Sequence, residues 1–526
     1  MILGLGGLLS NAACAVLKNG EIQAAIEENK LSRIPGRPTS LPEASVEECL
    51  RLAKASHADV ECVAVVRPFA RGRESDFHLA LRSQFPNAEI VVVEHHQAHA
   101  ASAFFASPFE EATVLTLDHA GDFRCGARWH GQGSQLFVER EWYYPDSLGR
   151  LYGAVTELLG FRAGADEHKV QWLSTSGDGQ FTSAFREIVS DAARLDPSFF
   201  DANRSTAGGF SSKLFARLGL KDEHHIPPAL APAVAHALQQ TIEETVTSLA
   251  GSGENLCLAG GLFFNALLVD HLERCGHWKN VFVQPAAGNA GTALGAVFHV
   301  WHQVRRHARR ASGGSLLLGP SYGPDEIKQV LENCKLPFRY HRSTDELLAG
   351  AVRLLGERKI VAWMQGRMEF GPRALGNRSI LASPLDPFST ENLNVYIKRR
   401  EPFRKFAASV PVELAAEYFD TRPNARHLAT VGRVHPAHRK TFESAILGQD
   451  ASGQDIVRVH TVAEQDNPLY HRLLLEAGKA TGLPVLYNTS FNLFGDPLVS
   501  TPRDAVRSFY SSGIDAIFVG NFLLEK

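Results

Sequence analysis

The chain lacks the marks of several large protein classes. Its seven cysteines, Cys14, Cys49, Cys62, Cys125, Cys257, Cys275 and Cys334, are spread over 526 residues and form no CxxC pair. An odd, widely spaced set offers no disulfide framework and fits a reducing compartment, where each thiol reads as a small buried hydrophobe. No apolar run approaches the roughly 20 residues that cross a bilayer, so no membrane partner is expected. An excess of positive charge is also missing. Lys and Arg number 54 against 57 Asp and Glu, for a formal charge of -3, which disfavours nucleic acid as the main partner. The start, Met1-Ile2-Leu3-Gly4, has no basic flank of a secretion signal and reads directly as a strand, so the expected location is cytoplasmic. There is no Walker-type phosphate loop, no GxSxG elbow and no dinucleotide fingerprint at the N-terminus.

What is present is a globular composition, 44% hydrophobic and 21% charged, in a chain too long for one ordinary core. Ile2 to Leu5, Ala12 to Leu17 and Ile22 to Ile26 read as a meander turning at Lys18-Asn19-Gly20-Glu21. Strands follow at 60–66, 89–93 and 112–117, with helices at 45–55, 98–106 and 148–159. Further on, strands at 256–259 and 281–284 each enter a glycine-containing loop and then a helix. A meander followed by strand–glycine–helix units predicts an α/β fold with a nucleotide-binding domain of the actin and sugar-kinase type. The run from Arg305 to Gly319 reads as a linker, which divides the chain into domains 1–315 and 316–526. No short-period repeat is visible, and 419–454 has no assignable pattern.

Two stretches carry chemistry. Glu94-His95-His96-Gln97-Ala98-His99 follows a branched apolar strand, and strand ends sit beside the clefts of α/β sheets. His95 and His99 are four apart and share a face if a helix starts at Glu94, so they could grip a divalent metal; a satisfied core histidine is the competing reading. Asp118 and Asp122, at another strand end, suit a metal, a polar substrate or a plain turn. Gly260-Gly261 and Gly288-Asn289-Ala290-Gly291 let backbone amides approach a phosphate or ribose. The second stretch, Gly366 to Arg378, sets Arg367, Arg373 and Arg378 among Gly371, Pro372 and Gly376, as a loop shaped around an anion. Lys398, Arg399, Arg400, Arg404 and Lys405 add positive charge. Asn488, Ser490 and Asn492 follow a buried strand and could hydrogen-bond a base or phosphate.

These residues resemble the O-carbamoyltransferases of antibiotic and nodulation-factor synthesis over nearly the whole chain. The likeness rests on Glu94 to Phe104, Ser147 to Tyr152, Leu159-Gly160-Phe161, Glu167 to Val170, Gly260-Gly261 and Gln284 to Ala287. It is stronger over Gly366 to Leu381, Ile397 to Arg404 and Asn488 to Asn492. The resemblance implies a YrdC-like C-terminal domain that makes carbamoyl-adenylate from carbamoyl phosphate and ATP. It implies an N-terminal domain, similar to the threonylcarbamoyl transferases of tRNA, that moves the carbamoyl group to a small-molecule hydroxyl. Carried over, His95, His99 and Asn289 are metal ligands, for iron, magnesium or manganese. Gly260, Gly261 and Asn265 hold the adenylate. Arg378, Lys398, Arg404, Asn488, Ser490 and Asn492 bind nucleotide or phosphate, and Arg367 and Arg373 act on carbamoyl phosphate. Departures lie in the transfer domain. Asn289 stands where the family has an aspartate, Leu8 to Ala13 lacks its Asp and His, and its EGK triplet reads Glu167-His168-Lys169. His119 is the candidate replacement base. An amine acceptor, an altered acyl group, or a transfer-inactive partner subunit are the alternatives. The acceptor is not legible, and a homo-oligomer is left open.

Overall fold

The computed structural model describes residues 1–526 except 9, 35–40, 68–73, 191–192, 205, 222–224, 310–314 and 494. Leu9, part of the departing Leu8 to Ala13 segment, and the centre of the expected linker lie outside the described residues. Strands β1 (Ile2–Gly6), β2 (Ala13–Lys18), β3 (Glu21–Glu27), β4 (Cys62–Val66) and β5 (Glu89–Val93) form one sheet in the order β3-β2-β1-β4-β5. The meander is antiparallel, whereas β4 and β5 run parallel to β1. Strands β6 (Glu111–Gly121), β7 (Arg124–Gln132), β8 (Gln135–Tyr143), β9 (Gly253–Ala259) and β10 (Trp278–Val283) form a second sheet. Its order, β8-β7-β6-β9-β10, repeats the first sheet strand for strand and sense for sense. This duplicated unit is the actin and sugar-kinase arrangement. The hairpin β7–β8 has no counterpart in the sequence reading, because β8 buries only Leu136 and Trp142 and so shows little alternation.

Two helices lie between the sheets. The helix His95–Phe104 packs on β6, and Thr292–His299 packs on β1 and on the first helix. Their approach is close. A Cβ at Gly295 would lie 1.8 Å from the carbonyl oxygen of Ala98, so only glycine fits. The first helix starts three residues before the expected Ala98 because Glu94 caps it, its carboxylate accepting from His96 N at 3.0 Å and Gln97 N at 2.8 Å.

The C-terminal domain is built on an 11-stranded mixed sheet. At its centre Val361–Met364 runs parallel to Ala516–Val519 and antiparallel to Arg378–Ala382, which pairs with Leu486–Ser490. Ala407–Pro411 continues the sheet and runs parallel to Asp455–Val462. The unpatterned segment 419–454 consists of two- and three-residue strands and single helical turns, too short to carry a period. The domains are fastened together. Lys30 Nζ, paired with Glu27, donates to the carbonyls of Glu369 (2.9 Å) and Gly371 (2.8 Å), and Glu27 accepts from Gly371 N at 2.7 Å. The helix Ala266–Arg274 grips 420–433 through Asp270–Arg433 (2.7 Å), Arg274–Asp420 (2.7 Å) and Glu273 with Asn424 (2.7 Å) and Thr430 (2.6 Å).

Candidate functional site

Capping by Glu94 fixes the phase of the histidine helix, and His95 and His99 therefore share a face. Their Nε2 atoms lie 3.1 and 3.2 Å from one oxygen of Asp118, at the end of β6. The three ligand atoms lie within 4.8 Å of one another. Burial opposes the charge of Asp118, yet the two imidazoles hold its pKa well below the carboxylate range. Burial also opposes charge on His95, but Asp118, Glu94 and Asp122 leave its pKa raised. On His99 burial wins and the pKa is lowered. His96 points away, between Thr116 Oγ1 (3.0 Å) and the Arg124 carbonyl (3.3 Å), and burial with its two neighbouring imidazoles keeps it neutral. It is the satisfied core histidine.

The remaining expected metal ligand, Asn289, stands beside His99, whose imidazole its side chain engages, and its Nδ2 donates to Ser10 Oγ at 2.6 Å. Two imidazoles and one carboxylate make a mixed nitrogen–oxygen donor set that fits a divalent ion such as iron(II) or manganese. Asp118 supplies the charge that Asn289 lacks. His119 is exposed next to Asp118, its backbone N–H held by Asp118 Oδ1 at 2.7 Å.

The loop after β9 leans on this centre. A Cβ at Gly260, where φ is 105°, would lie 2.0 Å from the carbonyl oxygen of Leu117, and one at Gly261 would lie 3.0 Å from Asp118 Oδ1. Asn265 caps the following helix by accepting from Leu268 N at 3.0 Å. It also donates to Gln239 Oε1 at 2.7 Å, and Gln239 joins Tyr152 and Glu243. Thus Asn265 anchors the loop. Burial pushes the Glu243 carboxyl up to about 7.

From the other domain, Arg373 Nη2 donates to the carbonyl of Phe264, at the end of that loop, at 3.3 Å. Around Arg373 stand Arg404, Arg400, Lys398 and Arg458. Burial, reinforced by mutual repulsion, pushes Arg373 down to about 10 and Arg400 to about 9, and Lys398 and Arg458 well below their ordinary values. Few acceptors offset this charge. Arg404 has Glu401 at 3.8 Å and the charge of Asp166, and Glu401 is also bound by Lys169 at 2.8 Å. Among the described residues the Arg458 side chain makes no hydrogen bond or ion pair, and it lies over the ring of Trp172, 5.5 Å from its centroid, within reach of a cation–π contact. A half-buried cluster of under-compensated guanidinium groups is a site for an anion.

The other loop arginines are differently engaged. Arg378, 0% exposed, donates to the carbonyls of Gln365, Gly366, Asn377 and Pro320. Arg367 donates to those of Gly319, Leu318 and Gln23. Both are framing residues here: they and Glu369, which accepts from the N–H groups of Leu375, Asn377 and Arg378, hold the loop so that Arg373 projects. Lys398 donates to the carbonyl and side-chain oxygens of Asn492, both at 2.8 Å; Ser490 donates to Asn492, and Asn488 to the Ala374 carbonyl at 3.1 Å. These four tie Asn488–Asn492 to the arginine loop. Sequence reasoning missed Arg458 and Trp172, since a lone arginine inside a strand has no local signature. A cavity of about 1250 Å³ between the domains is lined by Arg367 but by none of Arg373, Arg404, Arg458, His95, His96 or His99.

Comparison with known proteins gives a consistent picture. The family model described as carbamoyltransferase N-terminus matches residues 71–298, and that described as carbamoyltransferase C-terminus matches 352–526. An uncharacterized protein of Synechocystis sp. is 33% identical over 100% of this chain and 96% of its own length. The nodulation protein NolNO of Sinorhizobium fredii is 30% identical over 98% of this chain and 79% of its own. The 3'-hydroxymethylcephem-O-carbamoyltransferase of Amycolatopsis lactamdurans is 29% identical over 82% and 80%. Among solved structures, component A of the Acidaminococcus fermentans (R)-2-hydroxyglutaryl-CoA dehydratase gives a TM-score of 0.37 at 18% identity, over 57% of this chain and 96% of that one, too distant to add to the fold.

Proposed function

The chain belongs to the carbamoyltransferase family and is a transferase, and from that premise we propose that it moves a carbamoyl group from carbamoyl phosphate, by way of carbamoyl-adenylate formed with ATP, to a small-molecule hydroxyl. The observation that carries this reading is the hydrogen bond from Arg373 to the Phe264 carbonyl. It sets an anion site against the glycine loop that leans on Asp118, so two half-reactions would share one wall.

In the first half-reaction Arg373, Arg404 and Arg458 hold carbamoyl phosphate through its phosphate oxygens. Water displaces phosphate from the carbonyl carbon and leaves carbamate. A carbamate oxygen then attacks the α-phosphorus of ATP, and the bond to pyrophosphate breaks. Guanidinium groups already desolvated in the cleft offset the charge that builds on these oxygens without reorganising. Lys398, with Asn488, Ser490 and Asn492, braces the nucleotide side of the site.

In the second half-reaction the adenylate reaches the Gly260–Asn265 loop, whose glycines let backbone N–H groups come close enough to donate to its phosphate. The acceptor hydroxyl attacks the carbamoyl carbon and AMP leaves. Passage along a shared wall limits hydrolysis of the adenylate. A divalent ion held by His95, His99 and Asp118 would supply a Lewis acid at this centre. His119, exposed at its edge, is placed to take the hydroxyl proton. The name of the cephem O-carbamoyltransferase relative favours a hydroxyl over an amine, and a role in natural-product synthesis. The Asp118 carboxylate favours an active transfer centre over an inactive subunit, despite Asn289.

The test is pyrophosphate release from ATP and carbamoyl phosphate without acceptor, in the native chain and in Arg373→Ala. Release that requires carbamoyl phosphate and drops at least about tenfold in the variant is expected. Equal release with and without carbamoyl phosphate, or an unaffected variant, removes the proposal.

A further inference from the structure

The helix Glu167–Leu173 borders the arginine cluster. Trp172 lies under Arg458, and Lys169 is bound to Glu401 beside Arg404. His168 stands four residues before Trp172, on the same helix face. Its Nδ1 lies 3.1 Å from the carbonyl oxygen of Ala165. A carbonyl only accepts, so Nδ1 carries the proton and Nε2 presents a lone pair. That Nε2 is buried and unpartnered.

An acceptor here is unusual, because the surrounding groups are guanidinium and ammonium ions that only donate. Such groups satisfy a phosphate fully. They cannot satisfy an amide NH2 joined to it, and a buried N–H without an acceptor is costly. Burial, with Arg404 and Arg373 close by, pushes His168 down to about 4. It is therefore neutral at ordinary pH, and too weakly basic for general-base work, which needs a pKa near the working pH. The nearby carboxylates are engaged: Glu401 is bound by Lys169 and faces Arg404, and Asp166 is held by Lys169 at 3.3 Å and by the Arg162 N–H at 3.2 Å.

We propose that His168 Nε2 accepts a hydrogen bond from the carbamoyl NH2 of carbamoyl phosphate seated on Arg373, Arg404 and Arg458, and so selects this donor over acyl phosphates bearing a methyl group in place of the amide. The inference rests on the carbamoyl phosphate reading above. It makes His168 a specificity-determining residue.

The experiment measures KM for carbamoyl phosphate in pyrophosphate release, and Ki for acetyl phosphate and inorganic phosphate as inhibitors of the same reaction. The chains are native, His168→Ala and His168→Gln. His168→Ala should raise KM about tenfold and leave both Ki values within about twofold of native, since only the amide contact is lost. His168→Gln, which keeps an acceptor oxygen, should recover most of the native KM and guards against a folding defect. An unchanged KM in the alanine variant, or KM and both Ki values rising together in both variants, overturns the assignment while native turnover leaves the donor reading standing. A native chain that releases no pyrophosphate with carbamoyl phosphate overturns the donor reading, and the role of His168 with it.

Discussion

Asp118 and Glu243 show two outcomes of burying a carboxylate. Asp118 meets two imidazoles and stays charged, while Glu243 meets the Gln239 amide, with His271 Nδ1 at 3.7 Å, and burial pushes its pKa up to about 7 from the ordinary 4.5. A raised carboxyl pKa means that the folded protein favours the protonated form. The stability linked to Glu243 is therefore fully present below pH 4.5 and lost as pH rises through about 7. Glu243→Gln should be more stable than the native chain at pH 8, by about 3 kcal/mol, with the difference vanishing near pH 4.5. Thermal melts across that range check it, and a gap that does not change with pH refutes the assignment. Residue roles were only partly legible. The histidine pair was found from its spacing of four. The three loop arginines looked alike in sequence, yet Arg378 and Arg367 spend their donors on carbonyls and Arg373 alone reaches Phe264. Guanidinium direction depends on which carbonyls come close in space, and spacing does not encode that.

Elements were read more surely than residues. The strands and the Leu148–Leu158 helix match their patterns because their alternation or period reflects burial on one side. Helix ends shifted where a side chain cap decided them, as Glu94 did. The close crossing of His95–Phe104 with Thr292–His299 is the element contact on which the metal candidate depends. Gly295→Ala would force a methyl group into the Ala98 carbonyl, 1.8 Å from the ideal Cβ position. Overpacking of this kind costs about 1–3 kcal/mol, and the helices must part to relieve it. We expect a lowered melting temperature and a lowered iron or manganese content after metal loading, measured by elemental analysis. A variant with native stability and native metal content would show that the crossing does not set the His95–His99 geometry.

At the scale of the whole molecule, the helix Ala266–Arg274 joins the two chemical regions. Its cap, Asn265, ends the glycine loop, and its last turns hold the C-terminal domain through Asp270, Glu273 and Arg274. Asp270→Ala leaves Arg433, a buried cation, without that partner. Breaking a buried pair costs about 3–5 kcal/mol. Arg433 keeps Asp450 at 2.7 Å, so we expect the low end, about 3 kcal/mol. The variant should also lose product formation more than pyrophosphate release, because only the transfer step needs the adenylate to reach the Gly260–Asn265 loop that this helix anchors. Equal losses in both assays would argue against this helix as the coupling element.

By itself the sequence determined the class of the fold and the family, and it marked candidate residues for the site. Burial patterns, glycines at sharp joints and the pairing of imidazole with carboxylate are local facts, set by covalent chemistry and solvent. The duplication of the two five-stranded units was invisible, because strand order and sense can repeat while side chains diverge. Only the tertiary structure decided which donors face an anion and which face a carbonyl. It brought Arg458 from a distant strand over Trp172 and left the buried Nε2 of His168 beside it unpartnered. Hydrogen bonding and charge act over a few ångströms of space, and chain separation says nothing of that distance until the domains have packed.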